Sequence, residues 1–540
     1  MNSSQTLKHR WLGFLLWQTL STTLVYFLLT PIANPSSSLL PNIHSVFTFF
    51  LFHLSTLLFS LSIFLISSPH PHVPQASLYE IVHGFLRGLL RIVLGGFQGS
   101  LFDVGEKRRV MRTGEFGMFS AAMASSGFLG AIAVCGDWKV VNLWELFGIG
   151  IRGLFVGLLF GGYYIYCRKW VLMFPIVQRP LFFSFKIGIS SSLKQSLKLS
   201  LPAFLSSLLL IIFLPNYMKT NSTLGQFIID EFTFCIGMTL VIFNWELSHN
   251  LLQVVHTRRC VFAPSQGSAD AETNPSETLF ESLEQSSSRS LLQYLAYLDL
   301  CLVCESNIDT WRRAAFFEET GETYRRIISL CLRPLEQLVS RLGQVFEGVS
   351  GDKSGILCLQ ITSSTSNNTE MKLREAFDDF QVCAWCARTI AALTSHSHSE
   401  DRFGVAQLTG CNASGVSMLL SCLLAVEACL GKKTYPQAVQ FMGQGNIRWA
   451  SLNKDGGSRQ DVNGVAFDKK ICGILQSKAY AIADVLRASL YEISTVFKND
   501  MLLNAKASVL EKNWLADSKP LYGTREILVQ KLGLFLEFHA

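Results

Sequence analysis

The sequence predicts an all-α protein in two parts: a six-span transmembrane helical bundle followed by a cytosolic all-α domain. Three observations predict it. The 540 residues are 49% hydrophobic and only 16% charged, with a mean hydropathy of +0.30, whereas a soluble chain carries roughly a quarter charged residues. The charges are also divided, 19 Lys/Arg against 9 Asp/Glu in residues 1–260 but 27 against 31 in residues 261–540. Finally, the apolar residues of the first part fall in runs long enough to cross a bilayer, and those of the second recur at helical spacing. This composition excludes an ordinary cytosolic enzyme, intrinsic disorder, collagen and a nucleic-acid arm. The basic part is the apolar part, which points to lipid.

A helix needs about 20 mainly apolar residues to cross the hydrocarbon core. Six stretches are expected to do so, at about 11–29, 43–66, 116–135, 143–166, 199–214 and 227–247. The first follows Lys8 and Arg10 like a signal peptide, but no small-residue cleavage site comes after it, so it is kept as a span. Of the Lys/Arg residues outside these spans, sixteen fall on one side and only Lys139 and Lys219 on the other. The positive-inside rule then places both termini in the cytosol.

Residues 78–96 (LYEIVHGFLRGLLRIVLGG) are apolar enough for a further span. Arg87 and Arg91 would then lie near mid-bilayer, at roughly 2.5–3.5 kcal/mol each. His83, Arg87 and Arg91 instead form one stripe at i, i+4, i+8, with Phe85 and Leu89 on the apolar face. That pattern predicts an amphipathic helix in the cytosolic interface; packing on the spans is the alternative. Residues 170–190 are aromatic and basic, and with Pro175 and Pro180 expected to break any long helix they too should lie along the membrane surface.

Gly153, Gly157 and Gly161 form a small-residue stripe on the fourth span, and Ala122, Ser126 and Gly130 one on the third. Such stripes allow close backbone approach, so these two spans are expected to pack together. Ionisable residues within spans are His53, Glu145, Arg152, Asp230 and Glu231. Arg152 is deep, and its expected partner is Asp230 or Glu231. Glu145 lies roughly 10 Å from it along the helix, too far for contact.

Residues 261–288 are rich in Ser, Glu, Thr and Pro and predict a disordered linker. The cytosolic α-helical domain follows over 289–540, with mobile loops expected at about 348–370 and 431–466. Helix faces are marked by Leu291, Leu295, Leu298 and Leu302, then by Leu373 to Ala391, then by Ile471 to Phe497. The apolar run Val416–Val426 is too short to span and predicts a buried core helix.

Chemistry is sparse. The 14 cysteines include two CxxC pairs, Cys301–Cys304 and Cys383–Cys386, but both lie in helical runs, and reduced buried thiols are expected rather than disulfides or zinc. His396 and Asp401 have the H-x4-D spacing of glycerolipid acyltransferases, in which the Asp orients a His base. A polar loop is the simpler expectation, with Ser399 capping the next helix and Glu400 and Asp401 in its first turn. No catalytic residue, cofactor or metal ligand is assigned. Asn221 opens a glycosylation sequon in an expected lumenal loop.

The stretch LLQYLAYLDLCLVCESNIDTWRRAAFFEETGETYRRIISLCLRPLEQL (291–338) carries Leu295, Ala296, Tyr297, Asp299, Leu300, then Arg312, Arg313, Ala314, Phe316, then Cys331 and Leu332. It resembles the opening of the cytosolic domain of the nuclear-division-cycle (Ndc-type) transmembrane nucleoporins. Residues 400–430 are similar to that family's acidic, Gly-Val-aliphatic run before an apolar helix. The resemblance implies an integral, non-catalytic protein of the nuclear pore membrane that anchors the pore scaffold and supports pore assembly. It further implies membrane-associated scaffold nucleoporins as partners, in some lineages an aladin-like propeller, with no direct nucleic acid and no small-molecule substrate. The alternatives are an endoplasmic-reticulum lipid acyltransferase using His396 and Asp401, or a small-solute transporter centred on Arg152.

Overall fold

Among the described residues every regular element is helical; the one β-type pairing is an isolated bridge between Ser68 and Val171. The computed structural model describes residues 3–33, 43–70, 104–136, 143–175, 178–213, 215, 223–264, 267–268, 275–284, 290–307, 309–347, 372–430, 465–506, 510–516 and 518–537. These fall in two units, residues Met1–Arg259 with Arg289–Leu291, and Cys260–Ser288 with Leu292–Ala540. Seven helices among the described residues are long and apolar enough to cross a membrane.

Six of the seven form the first unit: α1 (Ser3–Ala33), α2 (Ile43–Ile66), α3 (Val104–Cys135), α4 (Leu143–Tyr166), α5 (Leu181–Phe213) and α6 (Leu224–His256). Their directions can be read from paired contacts. Gln18 and Thr22 of α1 meet Ser248 and Asn244 of α6, so those two run antiparallel. The same holds for α2 and α3, joined at Ser55–Ser126 and Ile66–Arg112, and for α5 and α6, joined at Phe185–Asn250 and Ser192–Glu246. Helices α4 and α6 run parallel, through Arg152–Glu231 and Tyr164–His249. The six therefore alternate in direction, and the starts of α1, α3 and α5 share a face with the ends of α2, α4 and α6.

These helices bury small and polar groups beside aromatics such as Phe52, Phe59, Tyr164 and Trp245, and leave many other bulky apolar groups outward. Gln18, Ser55, Thr56, Ser60, Ser126 and Asn244 are buried, whereas Leu16, Leu20, Leu24, Phe50 and Leu209 are exposed. That distribution suits an apolar surrounding, in which the helical backbone satisfies its own polar groups and leucine needs no protein cover.

The observed helices overrun several expected limits. Val104–Cys135 begins twelve residues before the expected third span, and Leu181–Phe213 begins eighteen before the fifth. Residues 181–190 are thus the first turns of α5, and Pro180 marks the start of a long helix instead of preventing one. Pro180 is tolerated because it precedes the helix, where its missing N–H has no intrahelical role, and its carbonyl accepts Ser184 N at 3.1 Å. Residues 78–96, with His83, Phe85, Arg87, Leu89 and Arg91, and the sequon at Asn221 lie outside the described residues.

The second unit contains α7 (Glu277–Glu284), α8 (Leu291–Glu305), α9 (Thr310–Ala314), a 3-10 turn (Ala315–Phe317) and α10 (Glu322–Glu347). It continues with α11 (Phe380–Glu400), α12 (Val405–Leu408), α13 (Cys411–Cys429), α14 (Val465–Val496), α15 (Lys498–Lys506), α16 (Leu510–Trp514) and α17 (Arg525–Glu537). Helix α13 is its centre, packed by α10, α11, α14, α16 and α17. Although α13 is the seventh apolar helix, 83% of its most apolar stretch is buried inside the protein.

Here the structure corrects three expectations. Part of the expected linker is helix α7, whose Leu279, Phe280 and Leu283 are buried; the Glu-rich pattern hid an apolar stripe at i, i+1, i+4. Helix α8 has no single apolar face, being buried nearly all round through Tyr294, Tyr297 and Asp299, while Leu291 and Leu302 are only half-buried. The face from Leu373 to Ala391 is not one helix, because residues 377–379 form a turn before α11. The loops expected at 348–370 and at 431–464 lie outside the described residues, and residues 465–466 begin α14.

Candidate functional sites

Helices α3 and α4 of the first unit meet backbone to backbone along glycine. A Cβ built on Gly157 would lie 2.2 Å from the Met123 carbonyl oxygen, and one on Gly153 2.4 Å from that of Gly127. Gly161 faces the Met123 side chain at 3.2 Å. The α4 stripe is therefore in contact, but its counterpart on α3 is Met123, Gly127 and Ala131, one position on from the expected Ala122, Ser126 and Gly130. Ser126 and Gly130 face elsewhere: Ser126 Oγ accepts the Trp245 indole N–H at 3.1 Å, and Gly130 packs against Ser55 and Val241. Ala122 is half-buried. The stripe moved because helical periodicity fixes a spacing but leaves the neighbour undetermined, and α3 packs against α1, α2, α4 and α6.

Arg152 lies in the packed side of α4 and is bidentate to Glu231 of α6, at 2.8 and 2.6 Å. Its guanidinium also stacks on Phe234, 3.8 Å from the ring centroid. Both ends of this pair are held by protein, as a buried charge requires. Asp230 faces away and accepts from Gln226 at 3.3 Å. His53 lies against Phe49, its ring nitrogen 3.3 Å from Thr23 Oγ1.

Basic residues at the shared face have structural partners. Arg10 donates to the carbonyls of Val255 and His256, closing the end of α6. Arg112 donates to Ile66 O at 2.9 Å, closing the end of α2, and is sandwiched between Phe116 and Trp170. The last carbonyls of a helix carry partial negative charge, so cations are stabilising there. Lys169 pairs with buried Glu246 at 2.5 Å. Sequence reading did not single out Glu246, although it lies within the last apolar run; its nearness to the run's end was the available signal.

In the second unit, Asp299 of α8 accepts from Arg312 Nη2 at 2.9 Å and from Phe262 N at 3.0 Å, and Arg312 also donates to Phe262 O. This ties residues 260–264 to α8 through a fully buried pair. Arg313 donates to the carbonyls of Cys304 and Ser306, closing the end of α8, and is bidentate to Glu400 of α11. Leu295, Ala296, Leu300, Phe316 and Cys331 are buried, and Tyr297 donates to Leu330 O at 3.3 Å. Ala314 is exposed. Most of the residues carrying the family resemblance are thus buried, and Asp299, Arg312 and Arg313 form a knot that joins α8, α9 and α11.

His396 and Asp401 are not arranged as base and orienter. His396 Nδ1 faces Glu400 at 3.5 Å, and burial together with the Arg313 charge lowers its pKa. Asp401 accepts from Phe403 N and Ala406 N at 3.2 and 2.8 Å, so it caps α12; Ser399 and Glu400 belong to the end of α11, a correction to the expected capping. The four CxxC cysteines are buried inside α8 and α11, and burial pushes their thiols up. Two surface clefts, of about 910 and 850 Å³, share Ser414, Ala516 and Ser518, and among the described residues no His or Cys lines either. Compared with known proteins, the sequence matches no family model and no curated relative.

Proposed function

We propose that the chain is a non-catalytic membrane anchor of the nuclear pore scaffold, crossing the nuclear envelope six times with both termini cytosolic. The observation that carries this reading is the buried knot of the second unit. Among the residues that resemble the Ndc-type nucleoporins, Asp299, Arg312 and Arg313 hold α8, α9 and α11 together, so the resemblance includes residues that define a fold. The membrane part is supported by six alternating apolar helices with Arg10, Arg112 and Lys169 at one face. In this reading the apolar outer faces hold the chain in lipid, and the helical domain offers its surface to scaffold nucleoporins, with an aladin-like propeller as a further partner.

Localisation of a tagged copy tests the reading. A punctate nuclear rim is expected, and a diffuse reticular signal would refute it. Tags at both termini should be cleaved by protease added to intact microsomes; protection of one alone would refute six crossings.

A further inference from the structure

Helix α5 is 33 residues long, about 50 Å at 1.5 Å per residue, against a hydrocarbon core of about 30 Å. Some thirteen residues therefore exceed the core or force a steep tilt, and the charges decide at which end. Lys186 lies within the first thirteen residues, and the helix contains no acidic residue. Lys194 and Lys198 lie only about 2 and 8 Å further along the axis, where a lysine stem can carry its ammonium group back to the boundary.

The packed side of α5 is a stripe of small residues, Ser192, Ser196, Ser200, Ala203 and Ser207. The lysines lie away from it. All three are exposed, as is Arg179 just before the helix, and no hydrogen bond or ion pair joins any of the three lysines to a described residue. Phe183, Ile187, Leu197 and Leu201 are exposed among them. On a 100° per residue wheel, Lys186, Lys194 and Lys198 fall within an arc of about 120° centred well away from the serine stripe. Cations mixed with aromatic and aliphatic groups on an outward helix face match the boundary between acyl chains and headgroups, where lysine stems lie in the apolar layer and ammonium groups reach the phosphates.

We propose that the outward face of residues 179–198 is a binding surface for anionic phospholipid headgroups in the leaflet at the basic end of the bundle. The inference rests on the membrane reading of the first unit. Charge complementarity selects the occupant: exposed cations on a helix that carries no acidic residue favour an anionic headgroup over a zwitterionic one, at roughly a factor of five per lysine near such a surface.

The test uses the full chain in non-ionic detergent, titrated separately with phosphatidylserine and phosphatidylcholine, with bound lipid read by native mass spectrometry. Phosphatidylserine should bind in preference, less so at high salt. The triple variant K186Q/K194Q/K198Q should lose about a hundredfold in phosphatidylserine affinity and keep its phosphatidylcholine binding, while K186R/K194R/K198R should behave like the parent. Equal binding of both lipids by the parent, or unchanged phosphatidylserine binding by the Gln variant, would overturn the proposal. Should the triple variant aggregate, K194Q alone should still show a loss of about fivefold, and no loss would count against the proposal. Release of the parent chain from membranes by alkaline carbonate would overturn the membrane reading as well; retention without anionic preference overturns the headgroup surface alone.

Discussion

Helices α13 and α5 are both apolar enough to span a bilayer, with mean hydropathies of 1.4 and 1.9, yet 83% of one stretch is buried in the protein and 17% of the other. Apolarity records that a helix must be covered, without naming the cover. Around α13 the chain supplies it, with α10, α11, α14 and α17 on its sides. Helix α5 offers its neighbours serines and turns Phe183, Leu197, Leu201 and Leu209 outward. The two units differ in what they leave outside, since the first exposes leucine and phenylalanine along its helices although it too buries aromatics such as Phe59 and Trp245. Apolar burial stabilises the second, whereas close backbone approach and hydrogen bonds must hold the first together, since lipid is as apolar as leucine.

Both units nevertheless contain a buried Arg–carboxylate pair, and breaking those should have the largest effects. Arg312→Met strands Asp299, and Arg152→Met strands Glu231; each should cost about 3–5 kcal/mol in its own unit. Thermal unfolding of the full chain in detergent, with protease cuts assigned to each unit, reads them separately. A loss spread equally over both units would break the comparison. Next, Phe280→Ala should cost about 3 kcal/mol in the second unit, because this side chain of the short helix α7 is buried in the core. A neutral result would return residues 277–284 to the status of a linker.

The glycine contact sharpens the same contrast within the first unit. Gly157→Ala adds a Cβ 2.2 Å from a backbone oxygen, which cannot move without the helix, and about 1–3 kcal/mol of destabilisation is expected. Gly162→Ala, which meets nothing within 4 Å, should stay within about 0.5 kcal/mol. Equal melting of the two variants would show that α3 and α4 are not in backbone contact.

The legible part of the fold was what composition and period determine alone. Runs of Leu, Phe and Ile gave the six apolar helices of the first unit, and the shortness of Val416–Val426 gave a buried core helix. The i+4 stripe at Gly153 placed α4 against α3, and the isolation of Arg152 called for an acidic partner, found at Glu231. What escaped depends on neighbours. Which α3 residues meet the glycines is set by α2 and α6 as well as α4, and the pairing of Lys169 with Glu246 joins residues 77 apart. Helix α7 escaped because its three buried side chains lie in a stretch dominated by Ser, Glu and Pro, where composition outweighs pattern.

The smallest effects concern His396 and Asp401, the pair with acyltransferase-like spacing. Asp401→Ala removes the acceptor for Phe403 N and Ala406 N, so about 1 kcal/mol of stability should be lost, as for other helix caps. His396→Ala should change stability at pH 7 by less than about 0.5 kcal/mol, because the ring is at the rim of the knot and its Glu400 partner is already bidentate to Arg313. The pH dependence has a definite sign. Burial and the Arg313 charge lower the His396 pKa below 6.5, so the unfolded chain takes up the proton first. Stability tied to the neutral ring is therefore present above about pH 6.5 and lost as the pH falls through the lowered value. His396→Ala should flatten that acid limb while Asp401→Ala leaves it in place, both read by thermal melting between pH 7 and 5. Superimposable acid limbs in parent and His396→Ala would remove His396 from the knot, and loss of an acyl-transfer activity in both variants would restore the catalytic pair.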